Sequence, residues 1–187
     1  RYKIELDPGK AQYLKTIRNY GYRLDEVTAP EPQATETPPN EFSLLAPPKY
    51  FTSFVGRQNE LAMIQKRTET EAFVNVVGAG GLGKTRLVVA WAASQKDQRI
   101  AFCDLLNVSL EEELAVRISQ AIGFAKAPRI DPKQLHTWIQ KRCDILILDN
   151  ADSAIGPLSK SISSWLDKLD GTRIVITSRV PLKTRGE

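Results

Sequence analysis

The chain has 187 residues, 42% of them hydrophobic and 26% charged, with a net charge of +4. That is enough for one sizeable core, and usage so close to the soluble average excludes wholesale disorder or a fibrous repeat. No apolar run approaches the roughly 18 residues of a membrane span, and Arg1–Glu5 lacks the apolar stretch of a secretion signal, so an intracellular, cytoplasmic protein with no membrane partner is expected. The abrupt basic start at Arg1 reads as a segment of a longer protein. One histidine and two cysteines, Cys103 and Cys143, are too few for a metal cluster, and both thiols are expected to be free and buried.

The positive charge sits at one end. Residues 1–24 hold six basic and two acidic residues, while the other 163 residues balance at 20 of each. Four of the five tyrosines lie there too, and basic residues interleaved with aromatics, Arg18, Tyr20 and Arg23 among them, suit a phosphate-lined surface such as DNA. A short solvated hairpin with ordinary surface charges accounts for the same composition, and charge alone favours it. Residues 28–48 follow, with six prolines, three glutamates and no basic residue, which reads as an extended linker between a first unit at 1–27 and a second at 49–187.

In the second unit, apolar runs alternate with helix-period segments. Strands are expected at Ala72–Val77, Ile100–Leu105, Asp144–Asp149 and Arg173–Thr177, and helices at Lys84–Ser94, Leu110–Ile122, Pro132–Arg142 and Leu158–Leu169. That alternation predicts an α/β fold with a parallel sheet and helices on both faces.

Gly78-Ala79-Gly80-Gly81-Leu82-Gly83-Lys84-Thr85 fits G-x-x-x-x-G-K-[ST] directly between a predicted strand and helix. The glycines let consecutive N–H groups turn inward around a phosphate, and the following helix adds the positive end of its dipole. The loop, through Gly78, Gly80, Gly81, Leu82, Gly83 and the flanking Arg86, is expected to cradle the phosphates of a nucleotide. Lys84 reaches the terminal phosphates, and the Thr85 hydroxyl ligates Mg²⁺. Ile145-Leu146-Ile147-Leu148 buries a second strand, at whose carboxyl end Asp149 completes the Mg²⁺ site or, alternatively, caps the next helix.

A fast hydrolase would usually place a carboxylate immediately after that acid, but position 150 is Asn150, which argues for slow hydrolysis. Asp152 is placed to orient a water, although a helix cap suits it or Ser153 better. Arg179, after the last strand, is either a sensor of the terminal phosphate or a surface arginine at a strand end. No N-K-x-D guanine-reading motif occurs, which disfavours GTP.

Four motifs in order, Phe54-Val55-Gly56-Arg57-Gln58-Asn59-Glu60-Leu61, Gly78–Thr85, Leu146-Ile147-Leu148-Asp149-Asn150-Ala151-Asp152 and Thr177-Ser178-Arg179-Val180-Pro181-Leu182 with Gly186-Glu187, resemble the P-loop NTPase core of STAND ATPases of the NB-ARC type, found in bacterial transcriptional regulators. The resemblance implies that Val55, Gly56 and Arg57 line the adenine and ribose side and that Arg179 faces the γ-phosphate. Asp152 stands where that family has glutamate. Asp7-Pro8-Gly9-Lys10, Tyr13–Arg18 and Gly21-Tyr22-Arg23-Leu24 resemble the end of an OmpR/PhoB-type winged-helix DNA-binding domain, which makes residues 1–27 a partial winged-helix hairpin turning at Asn19-Tyr20-Gly21, with Arg18 at the minor groove.

The expected protein is a nucleotide-controlled switch: Mg-ATP on the loop, Lys84, Asp149 and Arg179 performing slow hydrolysis, and occupancy biasing assembly, a nucleotide-dependent homo-oligomer included, with DNA bound by the complete winged helix of the parent protein. A fast DNA-associated ATPase motor and a non-hydrolysing scaffold are the alternatives.

Overall fold

The computed structural model describes residues 43–124, 134–165 and 168–182, together with the backbone of residues 14–17 and 21–24. The chain divides into two compact units, residues 1–40 and 41–187. In the first, β1 (Leu14–Ile17) pairs antiparallel with β2 (Gly21–Leu24), Leu14 opposite Leu24 and Ile17 opposite Gly21. That register leaves three residues, 18–20, to join the strands. Arg18 and Tyr20 themselves lie outside the described residues, as does the side chain of Arg23.

The second unit runs α1 (Gln58–Thr70), β3 (Phe73–Val77), α2 (Lys84–Ala92), β4 (Ile100–Asp104), α3 (Glu111–Ala121), α4 (Leu135–Arg142), β5 (Ile145–Asp149), a 3₁₀ turn (Ala151–Ala154), α5 (Ile155–Trp165) and β6 (Arg173–Ser178). The four strands form one parallel sheet in the order β3-β6-β5-β4. All four carboxyl ends therefore lie along one edge, with Val77 opposite Ser178 and Asp104 opposite Asp149.

Side chains of a strand alternate between faces, and the core divides accordingly. Leu146 and Leu148 of β5, with Ile174 and Ile176 of β6, pack against α3, α4 and α5 through Leu114, Ile118, Ile139, Leu158 and Ile162. Ile145, Ile147 and Val175 face the other way, onto Ile64 of α1 and Leu87, Val88 and Trp91 of α2. Because β5 is central and covered on both faces, all five of its residues are buried, which is why it reads as an unbroken apolar run ending in one acid.

Two expectations change, and one helix has no signal in the sequence. Helix α1 is not marked by an apolar stripe: only Ile64 and Thr68 are buried, Met63 is exposed, and the remaining face is polar. Helix α5 starts at Ile155 rather than Leu158, because the 3₁₀ turn runs straight into it; Pro157 falls in the first turn, where the missing N–H has no intrahelical partner to lose. Its described residues run to Trp165, and Lys168 N and Leu169 N both donate to Trp165 O. Residues 44 and 45, which composition puts in the linker, lie against the sheet instead. Leu44 packs on the larger core. Leu45 donates its N–H to Ala121 O at 2.9 Å and accepts from Phe102 N at 2.7 Å, covering the edge of β4. Among the described residues, no helix is long and apolar enough to cross a membrane.

Leu148 is fully buried in the central strand. Leu148→Ala should cost about 2–5 kcal/mol of stability, read as a lower denaturation midpoint at unchanged slope.

Candidate functional site

Strand period places the acid. Asp149 follows Ile145 and Ile147 on the face turned to α2, so its carboxylate meets the first turn of that helix, where Thr85 Oγ1 lies 2.8 and 3.0 Å from its two oxygens. Thr177, on the same face of β6 as Val175, donates to Asp149 Oδ1 as well, and accepts from Asn150 N at 3.1 Å. Asp149 is 3% exposed. A buried carboxylate is tolerable only with such donors around it. These bonds exclude the capping role, since Asn150, in left-handed backbone, occupies the position before the 3₁₀ turn.

The loop between β3 and α2 is shaped by its glycines. Gly81 (φ 80°) and Gly83 (φ 73°) adopt left-handed backbone, and Gly83 caps the helix whose N-terminus opens at Lys84. The loop is tied to β6 by Gly78 N donating to Ser178 O at 3.2 Å. Lys84 folds back over it, its ammonium donating to Gly78 O at 2.8 Å and Ala79 O at 3.1 Å. Such main-chain carbonyls are partners that phosphate oxygens would replace.

A second wall comes from the segment before α1. Gly56 (φ 79°) and Arg57 (φ 60°) are consecutive left-handed residues that turn the chain into the helix. For Arg57 that conformation is unfavourable, and its side chain is held twice: Nη1 donates to Leu82 O at 2.7 Å and Nε pairs with Glu60 at 3.0 Å. The Arg57 guanidinium holds the Glu60 carboxyl below its ordinary range. Between Ser53, Phe54, Val55 and Arg57 on one side and Gly81, Leu82, Gly83 and Arg86 on the other lies a cleft of about 330 Å³. Arg86 turns from the loop toward this segment, with Nη2 donating to Ser53 O at 2.7 Å and to Thr52 Oγ1 at 2.7 Å.

At the end of β6, Arg179 lies against the loop: a β-carbon added to Gly80 would stand 3.6 Å from its guanidinium carbon. Asp152 neither caps a helix nor faces the loop freely. It accepts from Arg179 N at 2.6 Å and pairs with Arg179 Nε at 3.5 Å. Ser153 donates to Leu105 O at 3.2 Å, and Asn150 Nδ2 to Asp104 at 3.0 Å. Sequence reasoning missed Thr177 and the Asp152–Arg179 contact; the period-2 pattern of β6 carries a signal for the first, and nothing local carries one for the second. Both cysteines are buried and free, and burial pushes each thiol up to about 12, so neither serves as a nucleophile at neutral pH.

No family model matches the chain. Its fold is similar to that of a Walker-type ATPase of Pyrococcus abyssi, at a TM-score of 0.55 and 14% identity, covering 73% of this chain and 48% of that one. The likeness and the strand–loop–helix carrying Gly78–Thr85 establish a P-loop NTPase fold, α/β with a parallel sheet. In sequence it is 29% identical over 116 residues to a Mycobacterium bovis protein whose name describes an HTH-type transcriptional regulator, and 26% identical over 144 residues to an uncharacterized protein of the same organism. It spans 13% and 36% of the lengths of these two relatives.

In native protein at pH 8, Cys103 and Cys143 should resist iodoacetamide, and both should be alkylated once urea unfolds the chain; mass spectrometry counts the adducts.

Proposed function

We propose that the second unit binds Mg-ATP and ADP and works as a slow nucleotide-controlled switch in a transcriptional regulator. The observation that carries this reading is the meeting of Thr85 and Asp149 at 2.8 Å, directly behind a glycine loop and a helix N-terminus. A hydroxyl and a carboxylate, both hard oxygen donors, fit Mg²⁺. Bound there, the ion would neutralise charge on the β- and γ-phosphates. The main-chain amides of Gly80–Thr85 take the phosphates, and Lys84 exchanges its bonds to Gly78 O and Ala79 O for phosphate oxygens. Val55, Gly56 and Arg57 form the wall for base and ribose. Arg179, beside Gly80, reads the γ-phosphate.

Slow turnover, rather than a motor, is supported by the residues that follow Asp149. Asn150 is an amide, with no basic group to take a proton from an attacking water, and the carboxylate of Asp152, three residues beyond Asp149, is engaged by Arg179. Occupancy of the site then biases the arrangement of further domains or copies. The hairpin β1–β2 and the name of the 29%-identical relative support DNA binding through a complete winged helix in the parent protein, joined by the proline-rich tether.

Lys84→Ala should weaken ATP and ADP binding by about a hundredfold or more in titration calorimetry. Steady-state phosphate release by the unsubstituted protein should stay below about 1 per second. Unchanged nucleotide affinity in the variant removes this reading, and faster release favours the motor.

A further inference from the structure

Residues 46–56 are held in an unusual way. Among the described residues, no main-chain hydrogen bond joins them to the sheet or to a helix. Phe54 packs against the smaller core, and two arginines bond oxygens across the cleft. Arg57, at one end, reaches Leu82 O of the phosphate loop at 2.7 Å. At the other end Arg86, one residue beyond Thr85 in the first turn of α2, donates from Nη2 to Thr52 O at 3.1 Å, to the Thr52 hydroxyl at 2.7 Å and to Ser53 O at 2.7 Å. Its guanidinium carbon lies 5.7 Å from the centre of the Tyr50 ring and 6.0 Å from that of Phe54, within cation–π reach of both. Its Nε is buried with no partner, a cost the other contacts must exceed. All of these bonds leave from Nη2 and reach the segment, none of them the phosphate loop, and the rings hold the guanidinium on the segment's side.

We infer that Arg86 is a positioning residue, which holds residues 52–55 as the wall that recognises the nucleoside end of the ligand, and that it contributes little to the grip on the polyphosphate. The inference rests on the nucleotide reading above and deepens it. Two independent fixtures divide recognition: amides and Lys84 take the phosphates, while a segment with no ladder of its own reads the base and depends on Arg86 for its place. Lysine is a poor substitute, because a compact, strongly hydrated ammonium lacks the flat guanidinium face that lies near the Tyr50 and Phe54 rings while one of its nitrogens bonds the segment.

The test compares Mg-ATP with inorganic tripolyphosphate, each with magnesium, by calorimetry at about 0.15 M salt, where long-range charge effects are damped. Arg86→Lys keeps the charge and should lose about three- to tenfold in ATP affinity while tripolyphosphate affinity moves less than about twofold. Arg86→Ala should lose more ATP affinity than the lysine variant. Far-ultraviolet circular dichroism establishes that each variant is folded, and if Arg86→Ala is not, the lysine variant decides alone. Equal losses for both ligands in Arg86→Lys, or undiminished ATP affinity, overturn the inference and leave the phosphate site standing. Absence of binding of both ligands to the unsubstituted protein overturns the nucleotide reading and this inference together.

Discussion

Successive side chains of a strand point to opposite sides, and that two-residue period governs where the chemistry can sit. On β5 the odd-numbered residues Ile145 and Ile147 pack toward α1 and α2, so Asp149 must turn the same way, and helix α2 begins at the spot it faces. The same parity on β6 brings Thr177 to the carboxylate after Val175. Burying that acid without its two hydroxyl donors would cost several kcal/mol. The donors exist because two neighbouring elements stop at the same edge of the sheet. Core packing and site assembly are thus one constraint: a one-residue slip of β5 would put Asp149 among the leucines of the opposite face.

Around this centre, the remaining groups are held by side-chain contacts outside the sheet. Arg57 is paired with Glu60, and Arg179 is fixed through its own amide by Asp152. Lys84 and Arg86, by contrast, bond main-chain oxygens, with one threonine hydroxyl besides. Exposed ion pairs such as Arg179 with Asp152 contribute roughly 0–1 kcal/mol, so these contacts orient their members more than they stabilise the fold. The glycine loop sits between the two regimes, anchored to β6 at Gly78 and bracketed by arginines on either side.

How much of this is written in the sequence depends on the range of the interaction. The four parallel strands, the loop Gly78–Thr85 and the acid Asp149 are legible because apolar runs, glycine spacing and a terminal carboxylate are local patterns. Helix α1 is not, since it buries little beyond Ile64 and Thr68 and its polar face overwhelms the stripe. Asp152 reads locally as a cap, and only the return of β6 beside β5, 27 residues later, supplies the Arg179 amide that claims it. The same holds for residues 44 and 45: their proline-rich neighbourhood signals a linker, but such a chain can also lie along a sheet edge, as Leu45 does on β4. Arg86 is adjacent to the loop in sequence yet serves the segment more than thirty residues before it.

The central position of β5 has a cost during synthesis. Ile145-Leu146-Ile147-Leu148 is strongly apolar, uncharged and free of proline, the composition of an aggregation-prone stretch. One of its ladder neighbours, β4, precedes it, but the other, β6, starts 24 residues after β5 ends and must be inserted between β5 and β3. A nascent chain that has released β5 but not β6 therefore carries a naked, sticky strand edge beside an unfilled slot in the sheet. Its yield in the cell should depend on how quickly the ribosome delivers the segment up to Ser178, and on chaperones that shield the gap until then.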